Sequence, residues 1–230
     1  MTRPAVFDSD AILPPDPEGV AVLHEREYRV RAYRLDGPDG RRLLLRGAVR
    51  DQKPAGMYVE DDPDPLTIHH MQVELEVSFP TMEITAAAVL FEAHPHDACG
   101  SIAPHYGELV GLSIARGFTH EVRQRFGGPR GCTHATALLL AMAPVAIQSI
   151  WSLQVVDDRE AGREWRRPQD LPPEERAQRW AATLNSCHVW DATGEFAQHV
   201  LAGGDVGIPI PMRRRLDALG IDPSGAGEAE

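Results

Sequence analysis

Gly131-Cys132-Thr133-His134 sets a thiol and an imidazole two residues apart, directly before a long apolar helical segment. Seven of the ten histidines and two of the three cysteines fall between His69 and His134. Soft and borderline donors gathered in one stretch suit a transition-metal site. Cys132 is expected at the N-cap or first turn of the helix. A helix N-terminus stabilises negative charge, and so favours the thiolate that binds metal. His134 lies on the same turn, so both side chains can converge in front of the helix end. The competing reading is a buried Cys with a His capping the turn.

A second thiol, Cys99, follows His94-Pro95-His96-Asp97. Extended residues two apart face the same way, so His94 and His96 could act together. Cys99 is read either as a donor turned towards the helix layer or as one buried Cys in a polar loop. For His94 the exposed loop is preferred. His69 and His70 are neighbours, and strand neighbours point to opposite faces, so only one can reach a common site. We take His69 as the donor, with His70 beside it and Asp64 as the weaker alternative. Cys187-His188, next to Trp190, either closes the site from the other side or is core, and an amphipathic pocket wall is the preferred role. His24, His120 and His199 are read as exposed or half-exposed.

Strands are expected over Glu27–Leu35 and Arg42–Arg50, joined by a hairpin loop at Asp36-Gly37-Pro38-Asp39-Gly40. Residues 51–68 are rich in proline and acids and read as a loop. Met71–Ser78 alternates, with Val73, Leu75 and Val77 on one side and Gln72, Glu74 and Glu76 on the other. Phe79-Pro80-Thr81 turns the chain, and Glu83–Phe91 returns. Helices follow at Gly107–Leu112, at Thr119–Phe126, and from Cys132 onward with a bend at Pro144. Pro172-Pro173 opens another, Glu174–Leu184. Strands first and helices later predict an α+β fold, an antiparallel β-meander with helices packed on one face. The domain plan is an irregular arm (1–20), a metal-binding core (21–156), a helical extension packing on it (157–222) and a disordered tail (223–230).

The formal charge of −11 argues against sequence-blind nucleic-acid binding, which needs a positive field. Three distant cysteines do not make a disulfide framework, and free thiols suggest a reducing cytoplasm. Residues 1–20 show no apolar signal core. Ala135–Val156 is long enough for a membrane span, but Pro144, Gln148, Ser149, Ser152 and Gln154 interrupt it, so it reads as a core helix. A homodimer is carried only as what an exposed apolar helix could support. Gly127-Gly128 and Gly203-Gly204 lack the Lys and Ser/Thr of a phosphate loop, and no nucleophile elbow is present.

From Leu23-His24-Glu25-Arg26 through Arg130-Gly131-Cys132-Thr133-His134 to Ser186-Cys187-His188 the chain resembles a bacterial family known as domain of unknown function 2889. That resemblance implies no particular activity. Residues 69–150 are also similar to U-type iron–sulfur scaffold proteins. His69-His70 precedes the strand at Met71, Cys99-Gly100-Ser101-Ile102-Ala103 follows the hairpin, and Gly131-Cys132-Thr133-His134 opens the last helix. The similarity implies a site of His69 (or His70), Cys99, Cys132 and His134. A His replaces the scaffolds' first Cys, and Met71 replaces their Asp. These departures weigh against cluster assembly and leave one Zn or Fe ion as the expected cofactor.

Three functions compete. A metal-dependent lyase or hydrolase would act on a small apolar or aromatic substrate. His70, Asp97 or His188 (or His105) would transfer protons, and Trp165, Trp180 and Trp190 would form an apolar wall. A metal or cluster carrier would bind without turnover. A structural protein would use its Cys and His as core.

Overall fold

The computed structural model describes residues 13–37, 40–163, 171–181 and 183–222. Strands β1 (Glu25–Gly37), β2 (Gly40–Lys53), β3 (Leu66–Ser78) and β4 (Ile84–Ala93) form one antiparallel sheet in the order β1-β2-β3-β4. Its two faces follow from alternation. Leu43, Leu45 and Val49 of β2 and Met71, Val73, Leu75 and Val77 of β3 are buried on one side. Arg42 and Arg46 on the other side pair across the strands with Glu76 and Glu74.

The strands run further than the sequence reading placed them, and one extension matters. Residues 51–68 are not all loop. Asp51 pairs with His69, Gln52 with Thr67 and Lys53 with Leu66, across a register shift at Asp51/Gln52. Apart from Asp51, the prolines and acids that suggested a loop are confined to residues 54–65. His69 and His70 therefore sit inside β3, not ahead of it.

The helical layer begins with a 3₁₀ segment, Asp97–Leu109, where a short helix over Gly107–Leu112 was expected. Helix α1 (Phe118–Phe126) buries Phe118, Val122 and Phe126 at four-residue spacing. Helix α2 (Thr133–Glu160) runs through Pro144. Its Ala135, Leu138, Leu139, Met142 and Ala146 join the strand residues in one core. Among the described residues, α2 is the one helix long and apolar enough by composition to cross a membrane. The sheet carries this helical layer on its apolar face, which makes the fold α+β.

Gly47 sets how closely α2 seats. A Cβ there would stand 2.8 Å from Met142 Sδ and 3.1 Å from Leu138 Cδ1. Only hydrogen leaves room for the helix to lie that near the sheet.

The chain divides into two compact units, 1–153 and 154–230. The second contains α3 (Pro173–Trp180), α4 (Glu195–Leu201) and α5 (Ile210–Leu219). α3 starts at the Pro pair with Glu174 and Glu175 in its first turn, but ends at Trp180, short of the expected Leu184. Beyond it Thr183 and Leu184 turn back on the Trp180 carbonyl, and Asn185 takes a positive φ of 60°. Trp180 stacks on Trp190 at 4.8 Å, and Trp190 meets Phe196 edge-on at 5.2 Å. Most of the expected N-terminal arm (residues 1–12), the tail from residue 223 and Trp165 lie outside the described residues.

Candidate metal centre

At one end of the sheet the apolar face finishes in polar residues. Arg26 of β1, Asp51 of β2 and His69 of β3 stand opposite one another in the register. All three point to the face that carries Val49 and Met71, because each lies two residues along its strand from a residue of that row. Above them comes the first turn of α2. His134, Leu138 and Met142 are four residues apart and share one helix face. Leu138 and Met142 press on Gly47, so the contact that seats α2 also delivers His134 to Asp51.

Asp51 is the hub and is only 2% exposed. Its Oδ2 lies 3.1 Å from His69 Nδ1 and 3.1 Å from His134 Nε2. Arg26 grips both oxygens, with Nε donating to Oδ1 at 2.6 Å and Nη2 to Oδ2 at 2.7 Å. His24 Nε2 stands 3.6 Å from Oδ1. The His69 and His134 rings stack with centroids 3.9 Å apart. The Arg26 guanidinium, offset in part by burial, holds the Asp51 carboxyl down at about 2. Asp51 in turn raises Arg26 above its ordinary value. Burial, then the neighbouring His69, push His134 below its usual range, with Asp51 pulling the other way.

These shifts fix the protons. An ionised Asp51 only accepts, so His69 Nδ1–H and His134 Nε2–H donate to it. A neutral His134 then offers its Nδ1 lone pair to Cys132, whose Sγ lies 3.8 Å away. An ion at Nε2 would require the other tautomer, in which Nδ1–H faces the Cys132 sulfur. Cys132 is thus placed to orient His134.

The backbone around Cys132 is held on both sides. Its N–H donates to the Tyr106 hydroxyl at 2.8 Å, and that hydroxyl donates back to the Cys132 carbonyl at 3.3 Å. The same carbonyl accepts the Thr136 N–H at 2.9 Å, the first bond of the helix. Tyr106 is buried and stacks on Phe126 at 4.8 Å, and burial raises its hydroxyl pKa. Gly131 lies against the same residue, where a Cβ would collide with the Phe126 carbonyl oxygen. Gly131 and Cys132 therefore dock the helix start, and His134 is the residue of this motif aimed at the carboxylate.

Asp51, His69 and His134 each offer one donor atom, all within 4.8 Å of one another. Two donors about 2.1 Å from one ion and at right angles lie about 3.0 Å apart, close to the 3.1 Å at which each imidazole stands from the Asp51 carboxylate. Two imidazoles and one carboxylate suit Fe(II) or Zn.

The structure brings two of the four expected ligands, His69 and His134, into this group. Cys132 stands beside it. Cys99 is outside it, in the 3₁₀ segment with its N–H on the His96 carbonyl. The reason is that the expected turn after β4 is a long 3₁₀ coil, not a short reversal into the helix layer. His70 points to the opposite face, into a shallow depression with Glu27, Arg29, Ala48 and Arg50, and so cannot serve the centre. Asp97 is exposed at the head of the 3₁₀ segment, and His105 lies 3.2 Å from Glu108. Asp64 is exposed in the loop before β3. His188 and Cys187 belong to the second unit, where both are exposed. The residues that sequence reasoning missed are Asp51 and Arg26; His24 is exposed as expected, but its place 3.6 Å from Asp51 Oδ1 was not read. A usable signal was present for Asp51. The buried row Leu43, Leu45, Gly47, Val49 continues in step to Asp51, and a carboxylate ending such a row needs a partner.

No curated protein and no solved structure matches the chain. Residues 24–148, more than half of it, match a protein family, and the match includes His24, Arg26, Asp51, His69, Cys132 and His134. The chain therefore belongs to the family described as Protein of unknown function (DUF2889).

Proposed function

We propose that the protein is a metal-dependent enzyme of lyase or hydrolase type, with one Zn or Fe ion held by Asp51, His69 and His134. The observation that carries this reading is the convergence of one carboxylate and two imidazoles, within 4.8 Å, on two strands and a helix start. Donors on rigid elements keep their geometry, and three protein ligands leave positions for substrate or water. A bound ion would polarise a carbonyl or acidify a water molecule. Asp51 supplies the negative charge, the stacked His69 and His134 rings hold each other in place, and Cys132 orients His134. His69 and His134 are 21% and 15% exposed, so a small molecule can reach them. Tyr28, 38% exposed, faces the same side as Val49, one row in from Arg26. It offers an aromatic surface beside the centre, which favours an apolar or aromatic substrate.

Metal analysis of untagged protein tests the reading. The wild type should hold about one equivalent of Zn or Fe, and a His69→Ala/His134→Ala variant none. No metal in the wild type after anaerobic reconstitution would reject it. Loaded protein is then screened for turnover of esters, amides and carbonyl compounds. The soft sulfur of Cys132 beside His134 favours a second reading, a metal carrier. Acid-labile sulfide with the iron, or rapid loss of metal to a chelator without turnover, would select it.

A further inference from the structure

The Asp51 carboxylate already holds a cation. Arg26 covers both oxygens, and the oxygen it shares with His69 and His134 is the one a metal would need. An ion placed there would stand beside a fixed positive charge at a carboxylate almost closed to water. Like charges repel far more strongly in such a place than in solvent. Guanidinium and metal therefore compete for one carboxylate.

Arg26 is also able to leave. It is the second residue of edge strand β1, and its side chain is 38% exposed. A long, flexible side chain at a strand end can swing to solvent without disturbing the sheet. Departure would not strand the second oxygen. His24, two residues earlier and 39% exposed, lies 3.6 Å from Oδ1 and can donate to it.

Resting on the metal reading above, we propose that Arg26 is a displaceable internal cation: a divalent ion binds at Asp51, His69 and His134 by expelling the Arg26 guanidinium. Arg26 keeps the metal-free carboxylate neutralised and sets how tightly the centre takes its ion. The centre then fills only where free metal is abundant enough to win the exchange.

The experiment is a titration of metal-stripped full-length protein with Zn(II) and Co(II), for wild type, Arg26→Gln and Arg26→Lys. Arg26→Gln should bind about tenfold tighter or more, because the competing charge is gone. Arg26→Lys keeps the charge and should stay within about threefold of wild type. Binding to Arg26→Gln with none to wild type would overturn the proposal, because the ion would then not expel the guanidinium. Equal or weaker binding by a folded Arg26→Gln would overturn it and leave the metal reading intact. No binding by any variant would overturn both. A second measurement uses only the wild type and so does not depend on the variant folding. The Arg26 Nε–H, bonded to Asp51, should be protected from solvent exchange without metal. On saturation with Zn(II) it should exchange about tenfold faster or more. Unchanged protection with metal bound would overturn the proposal.

Discussion

Replacing Asp51 by Asn keeps the shape of the hub and removes its charge, and the effect can be worked from the structure. A carboxyl held at about 2 instead of 3.8 contributes roughly 2.4 kcal/mol of folding free energy at neutral pH. Arg26, the largest cause, is 38% exposed, so solvent screens part of it and about 1–2 kcal/mol is the expected loss. In a domain of this size that lowers Tm by about 3–6 °C. The sign with pH is fixed by linkage. The group's pKa is depressed on folding, so acidification protonates the unfolded chain first. Its stabilisation is complete about a unit above 3.8 and is lost as pH falls through 3.8 towards 2. Urea denaturation of metal-stripped wild type and Asp51→Asn, followed by far-ultraviolet circular dichroism, should show the full gap at pH 7. The gap should shrink progressively below about pH 5. A gap under about 0.5 kcal/mol at pH 7, or one that does not change on acidification, would refute the assignment of Asp51 as a buried, ionised hub.

Three further outcomes follow from the same geometry. Cys132→Ala should weaken metal binding by about tenfold and Cys132→Ser by less, read by competition with a chelator; complete loss of metal from Cys132→Ala would make the thiol a ligand instead. Gly47→Val should cost about 2–3 kcal/mol in urea unfolding, because its side chain meets Met142 and Leu138 under α2; an unchanged midpoint would show that the helix does not seat there. His134 has a lowered pKa, so in metal-free protein its contribution is full above about 6.5 and declines as pH falls through that value. His134→Gln should flatten that part of the stability profile, and an identical slope in the variant would contradict it.

Much of the fold was legible because alternation is a local signal. The row Val73, Leu75, Val77 marks β3 as a half-buried strand without knowledge of any partner. The stripe Leu138, Met142, Ala146 in the same way needs only the helical period. The centre was less legible because it depends on pairing. Asp51 meets His69 through the register of β2 against β3, and a twelve-residue loop separates the two strands, so no local pattern states that register. His134 was found because Cys132 drew notice to the helix start. Yet the thiol that drew it turns towards His134, and the carboxylate that anchors the group was mistaken for loop. Cys99 failed for a related reason. A 3₁₀ run of 13 residues has weak hydrogen-bond and side-chain signatures, so its course is hard to read from composition.

The stacked Trp180 and Trp190 give the second unit an optical identity of its own. Two indoles 4.8 Å apart share their excited states, and separating them changes both emission and near-ultraviolet dichroism. The sheet that carries Asp51 and His69 lies in the other unit and is followed by its backbone dichroism. One sample therefore contains two reporters, the coupled-indole signal of the second unit and the β-sheet dichroism of the first, read beside Trp151 and the helices. Whether their melting curves coincide tells whether the division at Leu153 is also a boundary of cooperativity.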